Sequence, residues 1–167
     1  MLAYTKRLRW LVDVCTPRLL AFDAFSTQQR PAPDKWSPRE LIGHLIDSAS
    51  NNHRRFVRAQ FRDTMVFHGY EPDQWVTVQH YNEVPWPELV ALWGAFNRHL
   101  AHVMVVTPEE VRLRTHKQHN LDTVAWQAVP KGQPVTLDYF MADYVGHLEH
   151  HLRQLLGDDL GAAAVKM

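Results

Sequence analysis

The sequence predicts an all-α fold, an up-down four-helix bundle with a long aromatic-rich connection between its second and third helices. Three observations lead there. Apolar residues recur at three- and four-residue intervals in four separate segments, each long enough for a bundle helix. Start and stop signals for helices fall at the edges of those segments. A chain of 167 residues with 46% hydrophobic side chains can also bury one sizeable core. With no internal repeat and no linker in view, the expected domain is the whole of 1–167.

The first helix is read from residue 2 to about residue 25, on Leu8, Leu11, Val12, Cys15, Leu19 and Phe22. Pro17 marks a point where it bends or restarts. Residues 26–34, with Pro31 and Pro33, form a polar loop. Ser37, Pro38 and Glu40 then give a sharp helix start, combining an N-cap, a proline at the first helical position and a capping box. Trp36, just ahead of the cap, is placed to act as a hydrophobic staple. Leu41, Leu45, Ile46, Ala49, Phe56, Val57 and Phe61 carry the second helix to about residue 62.

Residues 63–85, rich in aromatic side chains, are too long a connection to be idle in a compact domain and are expected to cover one end of the bundle. Trp86-Pro87-Glu88 opens a third helix on Leu89, Leu92, Trp93, Phe96, Leu100 and Val103, which stops before Thr107-Pro108. Residues 108–134 read as irregular, with one turn at 108–111. Thr136-Leu-Asp138 restarts the chain into a fourth helix ending near Leu156, where Gly157 stops it.

The residues richest in chemistry lie on that fourth helix. His147 and His151 are four apart, so their imidazoles share one helical face. A third histidine, His44, sits in the first two turns of the second helix. Three histidine ligands leave coordination positions for a substrate, as a working metal requires. Among 11 histidines a pair at this spacing also arises by chance, and a surface cluster is the plainer reading. The apolar company of Tyr139, Phe140, Tyr144, Leu148, Leu152 and Leu155 favours burial, and buried polar groups need partners. Three imidazoles suit Zn, Ni, Fe or Cu alike.

Two carboxylates stand near the histidines. Asp143 lies four before His147 and Asp47 three after His44, so either could orient a ligand or take a proton. The competing role for each is a cap or an ion pair. Glu149 is two residues from both helical histidines and points off their face, so no zincin motif is present. His150 reads as a partly exposed neighbour. His53, His68, His80, His99, His102, His116 and His119 have no spacing that recommends them. Gln154 could line a pocket or face solvent. The six tryptophans read as core or pocket wall, and Cys15 as core filler.

Composition sets the limits. Eighteen basic residues balance 18 acidic ones, which argues against nucleic acid as a partner. The clusters at 6–9 and at Arg54-Arg55 are short and fit solvated helix faces. The N-terminus lacks a continuous apolar segment and no 18-residue apolar run is seen, so no membrane partner is expected. A lone cysteine suits a reducing cytoplasm.

Lys35-Trp-Ser-Pro-Arg-Glu-Leu-Ile-Gly-His-Leu-Ile-Asp-Ser48 and His147-Leu-Glu-His-His-Leu-Arg-Gln154 together resemble the DinB/YfiT-like superfamily of metal-dependent enzymes. Tyr81 and the helix with Asn97-Arg98 also look similar to that family, so the resemblance spans most of the chain. It implies an up-down four-helix bundle, a homodimer, and one zinc or nickel ion on His44, His147 and His151. Relatives include thiol-dependent S-transferases and hydrolases. The expectation is therefore a thiol S-transferase acting on a small electrophile, with a low-molecular-weight thiol as co-substrate. A hydrolase using water, or a binding module without turnover, is the alternative.

Overall fold

A computed structural model describes residues 2–161; residue 1 and residues 162–167 of the expected domain lie outside the described residues. Among the described residues there are seven α-helices: α1 (Ala3–Leu20), α2 (Pro38–Ala59), α3 (Pro72–Gln79), α4 (Trp86–Val106), α5 (Glu109–Arg112), α6 (Leu121–Val124) and α7 (Leu137–Leu156). Two short strands, β1 (Thr115–His116) and β2 (Val135–Thr136), pair antiparallel. The long helices α1, α2, α4 and α7 form the expected four-helix bundle.

Local chemistry accounts for the helix boundaries. α1 stops at Leu20, short of the expected 25. The Asp23 carboxylate accepts the Ser26 N–H at 2.9 Å and starts a separate 3₁₀ turn, Ser26–Gln28. Pro17 lies inside α1 without ending it. At α2 the capping box is complete: Glu40 N–H donates to Ser37 Oγ at 3.2 Å, and Ser37 N–H donates to Glu40 Oε2 at 2.8 Å. Thr136 caps α7 by accepting the Tyr139 N–H, and Gly157 ends it with a positive φ of 82°.

Two connections hold more structure than their sequence suggests. Residues 63–85 include α3, with Pro72 in its first turn, and a 3₁₀ turn, Tyr81–Glu83. The region expected to be irregular, 108–134, contains α5, β1 and α6. Its residues 118–120 bridge to Met65 through main-chain hydrogen bonds of 3.0 and 3.3 Å.

Side-chain pairs fix the helix directions. Tyr4 near the start of α1 bonds Asp138 near the start of α7, and Arg18 near the end of α1 bonds the Leu156 carbonyl, so these helices are parallel. Phe56 of α2 packs on Phe140 of α7 while His44 meets His147, so this pair is antiparallel. Trp86 opens α4 beside Leu19, antiparallel to α1, and His53 of α2 meets His99 of α4. The first two helices run up and down as expected. The third then runs down again, and the fourth up. Twenty-odd residues between α2 and α4 allow this return to the starting end.

α4 is long and apolar enough to cross a membrane by length and composition, with a mean hydropathy of 1.3 over 18 residues. Polar Glu88, Asn97 and Arg98 break its apolar run. Its Trp93, Leu100, Ala101 and Met104 are wholly buried in the bundle core. Every residue of α2 from Arg39 to Ala49 is buried as well, which brings His44, Asp47 and Ser48 inside the protein.

Candidate metal centre

The fold brings all three expected histidines together at the end of the bundle where α2 begins and α7 finishes. His147 Nε2 lies 3.4 Å from His44 Nε2 and 3.1 Å from His151 Nε2. Candidate ligand atoms of all three fall within 4.8 Å of one another. Two nitrogens each about 2.0–2.1 Å from one tetrahedral ion stand about 3.3 Å apart, so this spacing fits a shared ion.

Protonation fits too. Burial holds the His147 imidazole down at about 3, helped by the neighbouring histidines, and holds His44 at about 4. Burial also lowers His151, against the opposing effect of its hydrogen bond to Gln154. All three are therefore neutral at physiological pH, the form that ligates.

The remaining ring nitrogens set the tautomers. His151 Nδ1 donates to Gln154 Oε1 at 2.9 Å, since an amide oxygen can only accept. That leaves the His151 Nε2 lone pair facing the cluster. Gln154 Nε2 in turn donates to His150 Nε2 at 3.1 Å. His147 Nδ1 is 3.5 Å from Ser48 Oγ, and His44 Nδ1 is buried without a partner. Aromatic rings wall the cluster. Trp36 lies 4.7 Å from His44 between ring centroids, so it packs on the site from its place just ahead of the helix entrance. Trp126 lies 6.4 Å from His147 and 5.7 Å from His150.

Neither carboxylate hydrogen-bonds a ligand histidine. Both oxygens of Asp143 accept main-chain N–H groups, from Trp126 at 2.9 Å and Gln127 at 2.7 Å. Asp47 Oδ1 accepts from Tyr81 Oη at 2.7 Å and Gln79 Nε2 at 2.8 Å, while its Oδ2 is buried without a partner. Burial raises the pKa of both groups. Glu149 faces away as expected, held by Arg7 of α1 and by Arg153. Cys15 is buried, and burial pushes its thiol up to about 11, as befits core filler.

The histidines stand between two cavities. His44 and His147 line one of about 380 Å³, with Ser48, Asn52, Arg55, Tyr70, Trp126 and Phe140 on its walls. His151 and Gln154 line another of about 690 Å³, closed by Trp36, Phe22 and the loop around Arg30 and Asp34. Sequence reasoning missed Ser48, although it lies four residues after His44 on the same stripe. It also missed Arg55, which is buried rather than solvated. His53 and His99, passed over on spacing, meet across α2 and α4 at 3.2 Å.

YfiT from Bacillus subtilis, a probable metal-dependent hydrolase with an unusual four-helix bundle topology, is similar in structure. The TM-score is 0.73 and the identity 17%, over 90% of this chain and 80% of that one. No curated protein matches this chain significantly. The sequence model of the DinB superfamily matches residues 6–155, which contain all three histidines. The chain belongs to the DinB superfamily.

Proposed function

We propose that the chain is a divalent-metal-dependent enzyme in which His44, His147 and His151 hold one ion, zinc or nickel, and that it joins a low-molecular-weight thiol to a small electrophile. The observation that carries this reading is the place of the histidines between two cavities, one on each side of the cluster. Two small molecules can approach the cluster from opposite sides in this arrangement, which favours a transfer between them over hydrolysis. An ion there supplies Lewis acidity, which favours the ionised form of a thiol or of water beside it.

The chain's own residues do the rest. Gln154 and Ser48 hold His151 and His147 with their Nε2 lone pairs turned inward. Trp36 and Trp126 pack beside the imidazoles of His44 and His147. Asp143 acts by position, fixing the loop that carries Trp126. Asp47 lines neither cavity, so its role is also to position: it pins Tyr81 and Gln79 against α2. Asp143 also lines the cavity of His44 and His147 and stays the candidate base, which the turnover of Asp143→Asn tests. A homodimer in a reducing cytoplasm remains part of the proposal; sedimentation velocity tests its first half.

Hydrolysis is the second reading, favoured by the description given to YfiT. Turnover separates the two. Zinc- or nickel-loaded protein should accelerate attack of a small thiol on a chlorinated aromatic, with a rate that follows the thiolate fraction. His151→Ala should abolish that rate. Ester cleavage without thiol, lost in His151→Ala, would replace the transferase with the hydrolase. A folded, metal-loaded protein inactive in both assays would be a binding module.

A further inference from the structure

α2 carries a polar stripe away from the histidine cluster. His44, Ser48, Asn52 and Arg55 follow one another at helical intervals, all are buried, and all line the 380 Å³ cavity. The stripe ends in a cation that lacks a counter-charge. Arg55 is 5% exposed. It donates to the His68 carbonyl at 3.0 Å and to Asn52 Oδ1 at 3.5 Å, both neutral acceptors.

The acidic groups nearby are committed elsewhere. Asp143 lines the same cavity, but both its oxygens hold the 126–127 main chain. Asp47 is tied to Tyr81 and Gln79. A second cavity that Arg55 lines has Arg54 and Arg58 on its walls and no acidic residue. Tyr70 faces it from the covering connection, and burial raises that phenol to about 12, so it is a neutral donor. Among the described residues no carboxylate pairs with Arg55. A buried guanidinium left in this state is costly unless an anion completes it, and its planar fork suits a carboxylate held by two bonds. The opposite wall, Val124, Ala125, Trp126 and Phe140, is largely apolar.

We propose that Arg55 receives the carboxylate of a small amphipathic substrate whose hydrocarbon body lies against Phe140 and Trp126 and whose reactive end faces His44 and His147. The proposal rests on the reading of the histidines as the reactive centre, and it names the substrate class: a carboxylic acid with an apolar body. Tyr70 is a neutral donor beside the anion, Asn52 turns its Nδ2 to the Ser48 carbonyl at 2.9 Å, and Ser48 lies between the anion and the histidines.

The test compares binding of 3-phenylpropionate with that of its amide, 3-phenylpropionamide, by calorimetry and tryptophan fluorescence, on zinc-loaded and on chelator-treated protein. The acid should bind at least about tenfold more tightly than the amide, in the range of a charge-assisted hydrogen-bond pair. The preference should persist without zinc and weaken with salt. Arg55→Met should erase it while zinc binding stays, and Arg55→Lys should keep part of it. If Arg55 merely ties down the His68 carbonyl, both variants lose stability and the preference was never there. Equal binding of acid and amide, or no binding of the acid at millimolar concentration, overturns the proposal. So does a preference that survives Arg55→Met or vanishes with zinc, since the carboxylate then sits on the metal. If Arg55→Met does not fold, the same comparison on Arg55→Lys and wild type decides. Failure to bind zinc, with the acid preference intact, would sink the metal-enzyme reading and leave the carboxylate site standing.

Discussion

The ring of Tyr81 lies so close to Gly43 that a Cβ at that position would stand 2.1 Å from it. Only glycine allows this approach, and it delivers the Tyr81 hydroxyl to Asp47 one turn further along α2. Gly43→Ala should therefore lose about 1–3 kcal/mol or more by overpacking, outweighing the gain of under about 1 kcal/mol from helix propensity. Gly146→Ala is the control, since its Cβ would meet only the edge of the half-exposed Trp126 ring, at 2.9 Å. Denaturant midpoints should fall clearly for the first and little for the second; equal losses would mean that the Tyr81 ring can move aside.

Asp47 should separate stability from position. Its pKa is raised by burial, so the contribution it makes to stability is full below about pH 3.9, the unfolded value, and is lost as pH rises through the folded one. Asp47→Asn keeps the oxygen that Tyr81 needs and removes the buried charge, so its Tm at pH 7 should equal or exceed wild type. Asp47→Ala leaves the Tyr81 hydroxyl without its acceptor and should cost about 1–3 kcal/mol. A lower Tm for the asparagine variant would show that the negative charge itself stabilises the fold.

Metal binding and stability should be linked through His147. An ion at 100 times its Kd adds about 2.7 kcal/mol to the folded state. Thermal melts of wild type with zinc and with chelator should differ by a corresponding shift, and His147→Ala should melt alike in both. A chelator response unchanged in His147→Ala would take these histidines out of the account.

Acid should unfold the metal-free protein early. An unfolded histidine takes up its proton near pH 6.5, whereas His44 and His147 in the fold hold out to about 4 and 3. Across that interval the unfolded chain binds more protons. Stability is therefore complete above about pH 6.5 and falls as pH drops towards the folded values, by up to about 1.4 kcal/mol per pH unit for each histidine. Chelator-treated protein melted between pH 7.5 and 4.5 should show this slope, and His147→Gln should flatten it. Parallel slopes would mean that the imidazole is not buried.

How much of this was legible depended on distance along the chain. The capping box at Ser37 and Glu40 is a four-residue pattern, and it formed as read. The shared face of His147 and His151 follows from helical period alone. α3 was missed because eight residues between prolines and a left-handed His80 carry too weak a period; packing of Tyr81 and Gln79 on α2 holds it. Trp36 was read from its neighbours in sequence, which do not contain its contact with a ring eight residues on. Arg55 looked like half of an exposed basic pair because the cavity it faces is closed by residues from 69–72 and 123–126. The meeting of His44 with His147 depends on α7 lying antiparallel to α2, and no local pattern contains it.

The order in which a ribosome delivers the chain gives that meeting a further meaning. His44 and His147 are 103 residues apart, so a nascent or prematurely ended chain holds one of the three imidazoles long before it holds the other two. Such a fragment lacks the three-histidine set, whatever other histidines it carries. On the proposed reading, loading at this site waits until α7 has docked along α2, which would make an ion bound there a mark of chains that have closed their bundle.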